Sequence, residues 1–257
     1  MGIVNVTPDS FSDGGRGVDA AISHARRLLA EGADVLDIGG ESTRPGADAV
    51  PPDEEIARVI PVIAALRAET GAPISVDTMK PEVARAAVAA GASLWNDVTA
   101  LGFAPDSLAV AAELGCDVVL MHMKGTPRTM NAEARYGDVV AEVLAALQAR
   151  AETAIGAGVA RERIWLDPGL GFAKTAEHSL ALLRSLDRLV ALGFPVLLGA
   201  SRKSFLKAVD PTAATAEDRL GGSLAAALLG ARAGVAAVRV HDVRETVQAL
   251  EVWAAAG

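Results

Sequence analysis

Ala33-Asp34-Val35-Leu36-Asp37-Ile38-Gly39-Gly40-Glu41-Ser42-Thr43-Arg44-Pro45-Gly46 runs from a short apolar segment straight into a polar, glycine-rich loop. Asp53, Glu54 and Glu55 come next, where negative charge favours the first turn of a helix. Ile56, Val59, Ile60, Ile63 and Leu66 then fall on one helical face. Strand, polar loop and amphipathic helix make one β/α unit.

The same unit recurs outward in both directions. Apolar runs occupy Gly2–Val6, Ala33–Ile38, Pro73–Val76, Ser93–Val98, Asp117–Met121, Arg163–Leu166, Pro195–Leu198 and Val235–Val240. They are nearly continuous rather than alternating, which suits strands buried on both faces. Helical periodicity separates them, as in Val18, Ile22, Ala25, Leu28 and Leu29, or Val243, Val247, Leu250 and Trp253. Gly32, Gly71, Gly91, Gly115 and Gly193 stand where a left-handed helix C-cap is expected. Asp242 with Glu245 resembles a capping box. Eight such units, roughly 32 residues each, predict an α/β chain folded as a (β/α)8 barrel, whose usual size is about 250 residues. A doubly wound open sheet is the alternative. No linker or low-complexity stretch interrupts residues 1–257, which are therefore read as a single domain.

Composition narrows the function. Of 257 residues, 51% are hydrophobic and 22% charged, enough for a large core and incompatible with disorder. A net charge of −8 argues against nucleic acid as the main partner. The single cysteine, Cys116, excludes an intrachain disulfide framework. The first fifteen residues hold no Lys or Arg, and no long uncharged apolar run exists. A cytoplasmic protein without a membrane partner is expected.

A (β/α)8 barrel does its chemistry at the C-terminal ends of its strands, and unusual polar residues accumulate there. The first strand ends in Asn5, followed by Thr7-Pro8-Asp9-Ser10-Phe11-Ser12-Asp13. Later strands end in Glu41-Ser42-Thr43-Arg44, Asp77-Thr78, Asn96-Asp97, His122, Asp167-Pro168-Gly169, Ser201-Arg202-Lys203-Ser204 and Arg239-Val240-His241-Asp242. Single residues have simpler roles open to them. Asn5 suits a turn cap, Asp77 and Asp167 suit N-caps, and Arg202 and Lys203 suit a solvated surface. His24 and His178 fall within helices and read as surface residues, and His122 is ambiguous. Arg239 and His241, at i and i+2 of a strand, point to one face and suggest an anion site. Together the set describes two zones. Asp77, Asn96 and Asp167 suit a flat heterocycle rich in hydrogen-bonding groups. Arg44, Lys203, Arg239 and His241 suit phosphate or carboxylate. Asn5, Asp9 and Asp13 offer hard oxygen ligands for Mg2+. No zinc-type spacing of His or Cys is present.

Asn5-Val6-Thr7-Pro8-Asp9-Ser10-Phe11-Ser12-Asp13-Gly14-Gly15 and Asp37-Ile38-Gly39-Gly40-Glu41-Ser42-Thr43-Arg44-Pro45-Gly46 resemble the two long signatures of the dihydropteroate synthases. The remaining strand-end motifs continue in that family's order over essentially the whole chain. The resemblance implies condensation of 6-hydroxymethyl-7,8-dihydropterin diphosphate with 4-aminobenzoate, giving 7,8-dihydropteroate and diphosphate in folate biosynthesis. It implies catalytic roles for Asp77, Lys203, Arg239 and His241. Asp167, Asn96, Lys203 and Asp77 would hold the pterin over a floor containing Phe172. Arg239, His241 and Thr43 would bind the diphosphate, and Asn5 would ligate Mg2+. Phe11, Arg44, Pro45, Lys203 and Ser204 would form the aminobenzoate site, where sulfonamides would compete. A homodimer is implied as well. Ala173 departs from the family's commoner glycine, and the loop from Gly14 to Val18 is shorter than usual. A methyltetrahydrofolate-dependent methyltransferase domain or an inactive pterin-binding paralogue would share part of the pattern. The Arg239-Val240-His241 and Ser201-Arg202-Lys203 motifs argue against the first, and intact Asn5, Asp77, Lys203 and His241 argue against the second.

Overall fold

The computed structural model describes residues 1–6, 16–43, 46–126 and 128–256, with the side chain of Arg16 left aside. Among them eight strands alternate with helices. The strands are β1 (Gly2–Asn5), β2 (Leu36–Gly39), β3 (Ile74–Asp77), β4 (Leu94–Asp97), β5 (Asp117–Met121), β6 (Ile164–Asp167), β7 (Leu197–Leu198) and β8 (Ala237–Val238). The first five helices are α1 (Arg16–Ala30), α2 (Pro52–Glu69), α3 (Pro81–Ala89), α4 (Ser107–Leu114) and α5 (Val139–Gly156). After these come α6 (Ala176–Arg184), α7 (Leu186–Val190), α8 (Phe205–Val209), α9 (Leu220–Ala233) and α10 (Val243–Ala256).

Every strand pairing is parallel. β1 to β6 form one sheet in sequential order, and β7 pairs with β8. Parallel bridges join Leu166 to Val196 and Gly2 to Val240, so β8 returns to β1. Sequential order with that return is a closed (β/α)8 barrel. The doubly wound alternative would reverse strand order at a switch point, and none occurs. The strands begin and end within about three residues of the apolar runs that predict them.

Side chains of successive strand residues alternate between barrel interior and helix layer. In β5, Val118 joins the large core under the helices, while Val119 packs with Met1, Leu94 and Leu197. That small apolar cluster plugs the lower interior. Two residues further along the same strands the interior turns polar. Leu94 gives way to Asn96, and the row Asn5, Gly39, Asp77, Asn96 lies in continuous register.

Local signals fix the helix ends. Pro52 and Pro81 occupy first-turn positions, where the missing N–H costs nothing. Gly115 ends α4 in the left-handed region, and Gly32, Gly91 and Gly193 also take positive φ. Gly71 does not: α2 ends on an extended Thr70, and its chain leaves without a left-handed turn. Asp242 immediately precedes α10, and both its oxygens accept from Arg202, at 2.9 and 2.5 Å. His178 is a cap rather than a plain surface residue, closing a capping box with Thr175. Asp138 caps α5, accepting from the backbone N–H of Val140 and Ala141 at 3.0 Å each. Asp138→Ala should cost about 1 kcal/mol of stability. Chemical denaturation would show this as a lower midpoint, with ligand binding unchanged.

Candidate active site

Arg239 leaves the end of β8 and reaches across the barrel. Its Nε donates to Asp37 on β2 at 2.5 Å, and its Nη2 donates to Asp77 on β3 at 2.6 Å. Those strands are not neighbours of β8, so the contact passes through the interior. Asn96 of β4 donates its amide to the same Asp37 oxygen at 3.2 Å. Opposite stand Asp167 of β6 and Lys203, whose polar atoms would lie 3.8 and 3.6 Å from a Cβ added to Gly199, just after β7. The Lys203 ammonium donates to the Leu170 carbonyl at 2.6 Å and lies 4.7 Å from the centre of the Phe172 ring. Five strands thus deliver charged or amide groups to one chamber.

Asp37 is the member that sequence reasoning missed. It sits inside an apolar run and is fully buried. An acid between Leu36 and Ile38, two residues before Gly39, carries the inward parity of a barrel strand and is the signal that was available.

Charge inside the chamber is only partly compensated: Asp37, Asp77 and Asp167 face Arg239 and Lys203. Burial raises Asp77 above the usual carboxylate range, with Arg239 opposing and Asp37 reinforcing the shift. Burial raises Asp167 too, against Lys203 and the Gly169 N–H. Burial pushes Lys203 down to about 8, although Asp167 favours its charged form. Burial works against the charge of Arg239 as well, yet Asp37 and Asp77 hold it above the ordinary guanidinium range.

Among the described residues, four buried side-chain oxygens lack a hydrogen-bond partner, and three are here or beside it: Asp37 Oδ1, Ser75 Oγ and Asp77 Oδ1. A buried acceptor left unpaired costs roughly 1–3 kcal/mol. Such acceptors grouped in one chamber suit a ligand that brings N–H donors.

The expected two zones are arranged differently from the sequence reading. Arg239 does not stand with His241 in a free cationic patch. Its guanidinium is neutralised by two carboxylates, because burial makes an unpaired charge expensive. His241 instead exchanges hydrogen bonds with Ser201. Its Nδ1 is 3.0 Å from the hydroxyl, which also accepts the His241 N–H at 3.1 Å. It lines a cavity of about 320 Å3 together with Asn5, Arg202 and His24. His24, read as a surface residue, is half-buried there with Nε2 3.2 Å from the Ile3 carbonyl. Arg202 is held by Asp242, not solvated alone. Asp77 is no N-cap, since α3 starts at Pro81. Asp167 takes on a turn role as well as a chamber role, its Oδ1 accepting the Gly169 N–H at 2.7 Å.

Thr43 and Ser204 are described with partly open and exposed positions. Phe11, Arg44 and Pro45 lie outside the described residues, as do Asp9, Asp13 and the loop from Thr7 to Gly15.

Beneath Phe172 is a second buried assembly. Lys174 donates to the Phe172 carbonyl at 2.9 Å and the His122 carbonyl at 3.0 Å, and its Nζ lies 3.0 Å from His122 Nδ1. Burial pushes Lys174 down to about 7 and His122 down to about 3, so His122 is neutral and accepts. Ala173 between them takes φ of 49°, a conformation glycine adopts more readily. The Tyr136 hydroxyl holds its carbonyl at 3.0 Å.

Known proteins resemble this chain over its whole length. The sequence profile of the family described as "Pterin binding enzyme" matches residues 1–241. The dihydropteroate synthase of Neisseria meningitidis serogroup B is 51% identical over 266 residues, covering 100% of this chain and 92% of that protein. A structure of Xanthomonas albilineans dihydropteroate synthase with 4-aminobenzoic acid superposes with a TM-score of 0.94 at 54% identity, covering 100% and 92% of the two chains. One of the same enzyme with 7,8-dihydropteroate gives 0.90 at 51% identity, with the same coverages.

Proposed function

The chain belongs to the dihydropteroate synthase family of pterin-binding enzymes, and from that membership we propose that the carboxylates of its chamber hold the pterin while cations toward β7 and β8 receive the diphosphate. It is a transferase of folate biosynthesis. It condenses 6-hydroxymethyl-7,8-dihydropterin diphosphate with 4-aminobenzoate, releasing diphosphate and forming 7,8-dihydropteroate.

The unpaired acceptors of Asp37 and Asp77 carry the assignment of the pterin to the chamber. A dihydropterin presents an amino group and ring N–H donors, and Asp167 and Asn96 add an acceptor and an amide on neighbouring sides. Phe172 forms the floor, with Lys203 over it. As the ligand enters, its donors replace those of Arg239 on Asp77. The guanidinium then turns toward the diphosphate, beside His241 and Thr43. The C–O bond breaks with its electron pair leaving on diphosphate. The methylene carbon, conjugated to the electron-rich ring, becomes cation-like, and the buried Asp77 carboxylate stabilises it. The arylamine lone pair forms the C–N bond and the nitrogen sheds a proton. The amine is weakly basic and needs no general base. Phe11, Arg44, Pro45 and Ser204 complete the aminobenzoate site in this reading.

Asn5 fits a magnesium site of low protein denticity. Asn5 lines the cavity that His241 also lines, and a carboxamide oxygen is a hard ligand of the kind Mg2+ takes. The described residues contain no group of three His, Cys, Asp or Glu able to hold a metal alone. Mg2+ takes few protein ligands and draws the rest from phosphate and water. Bound through Asn5, it would neutralise charge on the departing diphosphate. A homodimer in the cytoplasm completes the reading. Among the described residues no helix is long and apolar enough to cross a membrane.

Diphosphate release from the dihydropterin diphosphate and Mg2+, with and without 4-aminobenzoate, tests the assignment. Release should depend on the amine and match the pteroate formed. Release without pteroate would refute it. The value of kcat/KM reports free-enzyme groups. Lys203 loses its proton as pH rises through about 8, and Asp77, pushed up to about 7 by burial, gains one as pH falls, so kcat/KM should fall above the first value and below the second. Lys203→Arg should remove the alkaline limb.

A further inference from the structure

Behind the chamber lies an ion cluster that the reaction does not use. Lys80, 4% exposed, donates its ammonium to Glu41 and, at 2.5 Å, to the fully buried Glu55. Glu55 Oε1 has no partner among the described residues. Taking three charges out of water is costly, and well-packed apolar side chains of similar volume commonly serve stability as well or better. The cluster therefore calls for a reason other than stability, and its connections supply one.

Glu41 is the stem of the β2–α2 loop and also accepts the Val50 N–H at 3.3 Å, at the loop's far end. Gly40 beside it is held by Arg58 of α2, which donates to its carbonyl at 2.7 Å. Gly40 admits no larger residue, since an added Cβ would lie 2.8 Å from Val59 Cγ1 and 3.0 Å from Glu55 Cγ. Thr43 is two residues beyond Glu41. On the other side, Lys80 is three residues beyond Asp77, in a turn closed by its own N–H donating to Thr78 Oγ1 at 3.2 Å. The Trp95 indole N–H fixes the Thr78 carbonyl at 2.7 Å. One ammonium thus ties the loop carrying Thr43 to the segment carrying Asp77.

We infer that Lys80 is a positioning residue, which through Glu41 sets the β2–α2 loop so that Thr43 meets the diphosphate while Asp77 meets the pterin. This rests on the proposed assignment of diphosphate to Thr43. A rigidly held loop donates to its ligand without first losing conformational freedom, and misplacement of a binding group by about 1 Å costs on the order of 100-fold where geometry is demanding.

Two pterins separate this role from simple support of the fold. Calorimetry in Mg2+ would compare 6-hydroxymethyl-7,8-dihydropterin with its diphosphate ester, on the native protein, Lys80→Met and Glu41→Ala. Lys80→Met leaves two buried carboxylates without their counter-charge, so it should lower the unfolding temperature as well as the affinity for the ester. Glu41→Ala keeps the Lys80–Glu55 pair and frees only the stem. Glu41→Ala should weaken the ester by at least about tenfold and the plain pterin by less than about twofold, with thermal unfolding close to native. Undiminished affinity for the ester, or equal losses for both pterins, overturns the inference. Should the native protein bind the two pterins equally, the diphosphate assignment itself fails.

Discussion

Replacing Lys203 by alanine should lower kcat at saturating substrates by roughly 100- to 1,000-fold, the usual cost of removing one preorganised group from a developing charge. The ammonium is placed by its donation to the Leu170 carbonyl, by the Phe172 face and by the neighbouring Asp167. It is half-buried, so its field is less screened than that of a surface lysine. Its removal also leaves Asp167 without its largest favourable charge, which raises that carboxyl further. Steady-state diphosphate release reads the effect. A kcat within a few-fold of native would place Lys203 outside the chemistry.

Asp167→Ala should weaken binding of the dihydropterin by about 2 kcal/mol or more, because ligand donors are stranded in a buried chamber. That is roughly a thirtyfold rise in Kd. The carboxylate has two duties, with Oδ1 also capping the turn through the Gly169 N–H. Asp167→Asn separates them, since the amide oxygen can still cap the turn while the charge beside Lys203 is gone. Calorimetry should find the alanine variant weaker than the asparagine variant and both weaker than native. Affinity unchanged in both would remove Asp167 from the pterin site.

The barrel was legible because strands buried on two faces leave continuous apolar runs, and because polar residues gather at their C-terminal ends. What the runs did not disclose is direction across the interior. Arg239 reads as a free cation beside His241, but folding brings it within 2.6 Å of two acids from strands far away in sequence. A single chain read residue by residue does not reveal such a pairing. Asp37 was readable in principle, as an acid between Leu36 and Ile38 inside an apolar run. His24 was misplaced because helical position alone does not show which side of α1 meets the Ile3 carbonyl. The Glu41–Lys80–Glu55 cluster escaped for the same reason as Arg239, its members being 14 and 25 residues apart along the chain (from 41 to 55, and from 55 to 80).

A crystal structure with 6-hydroxymethyl-7,8-dihydropterin bound tests most directly whether one chamber receives the ring. The ring should lie among Asp77, Asn96 and Asp167 over Phe172, with the Arg239 contact to Asp77 broken. A ring bound instead in the cavity beside His24 and Glu245, with Arg239 still holding both carboxylates, would contradict it.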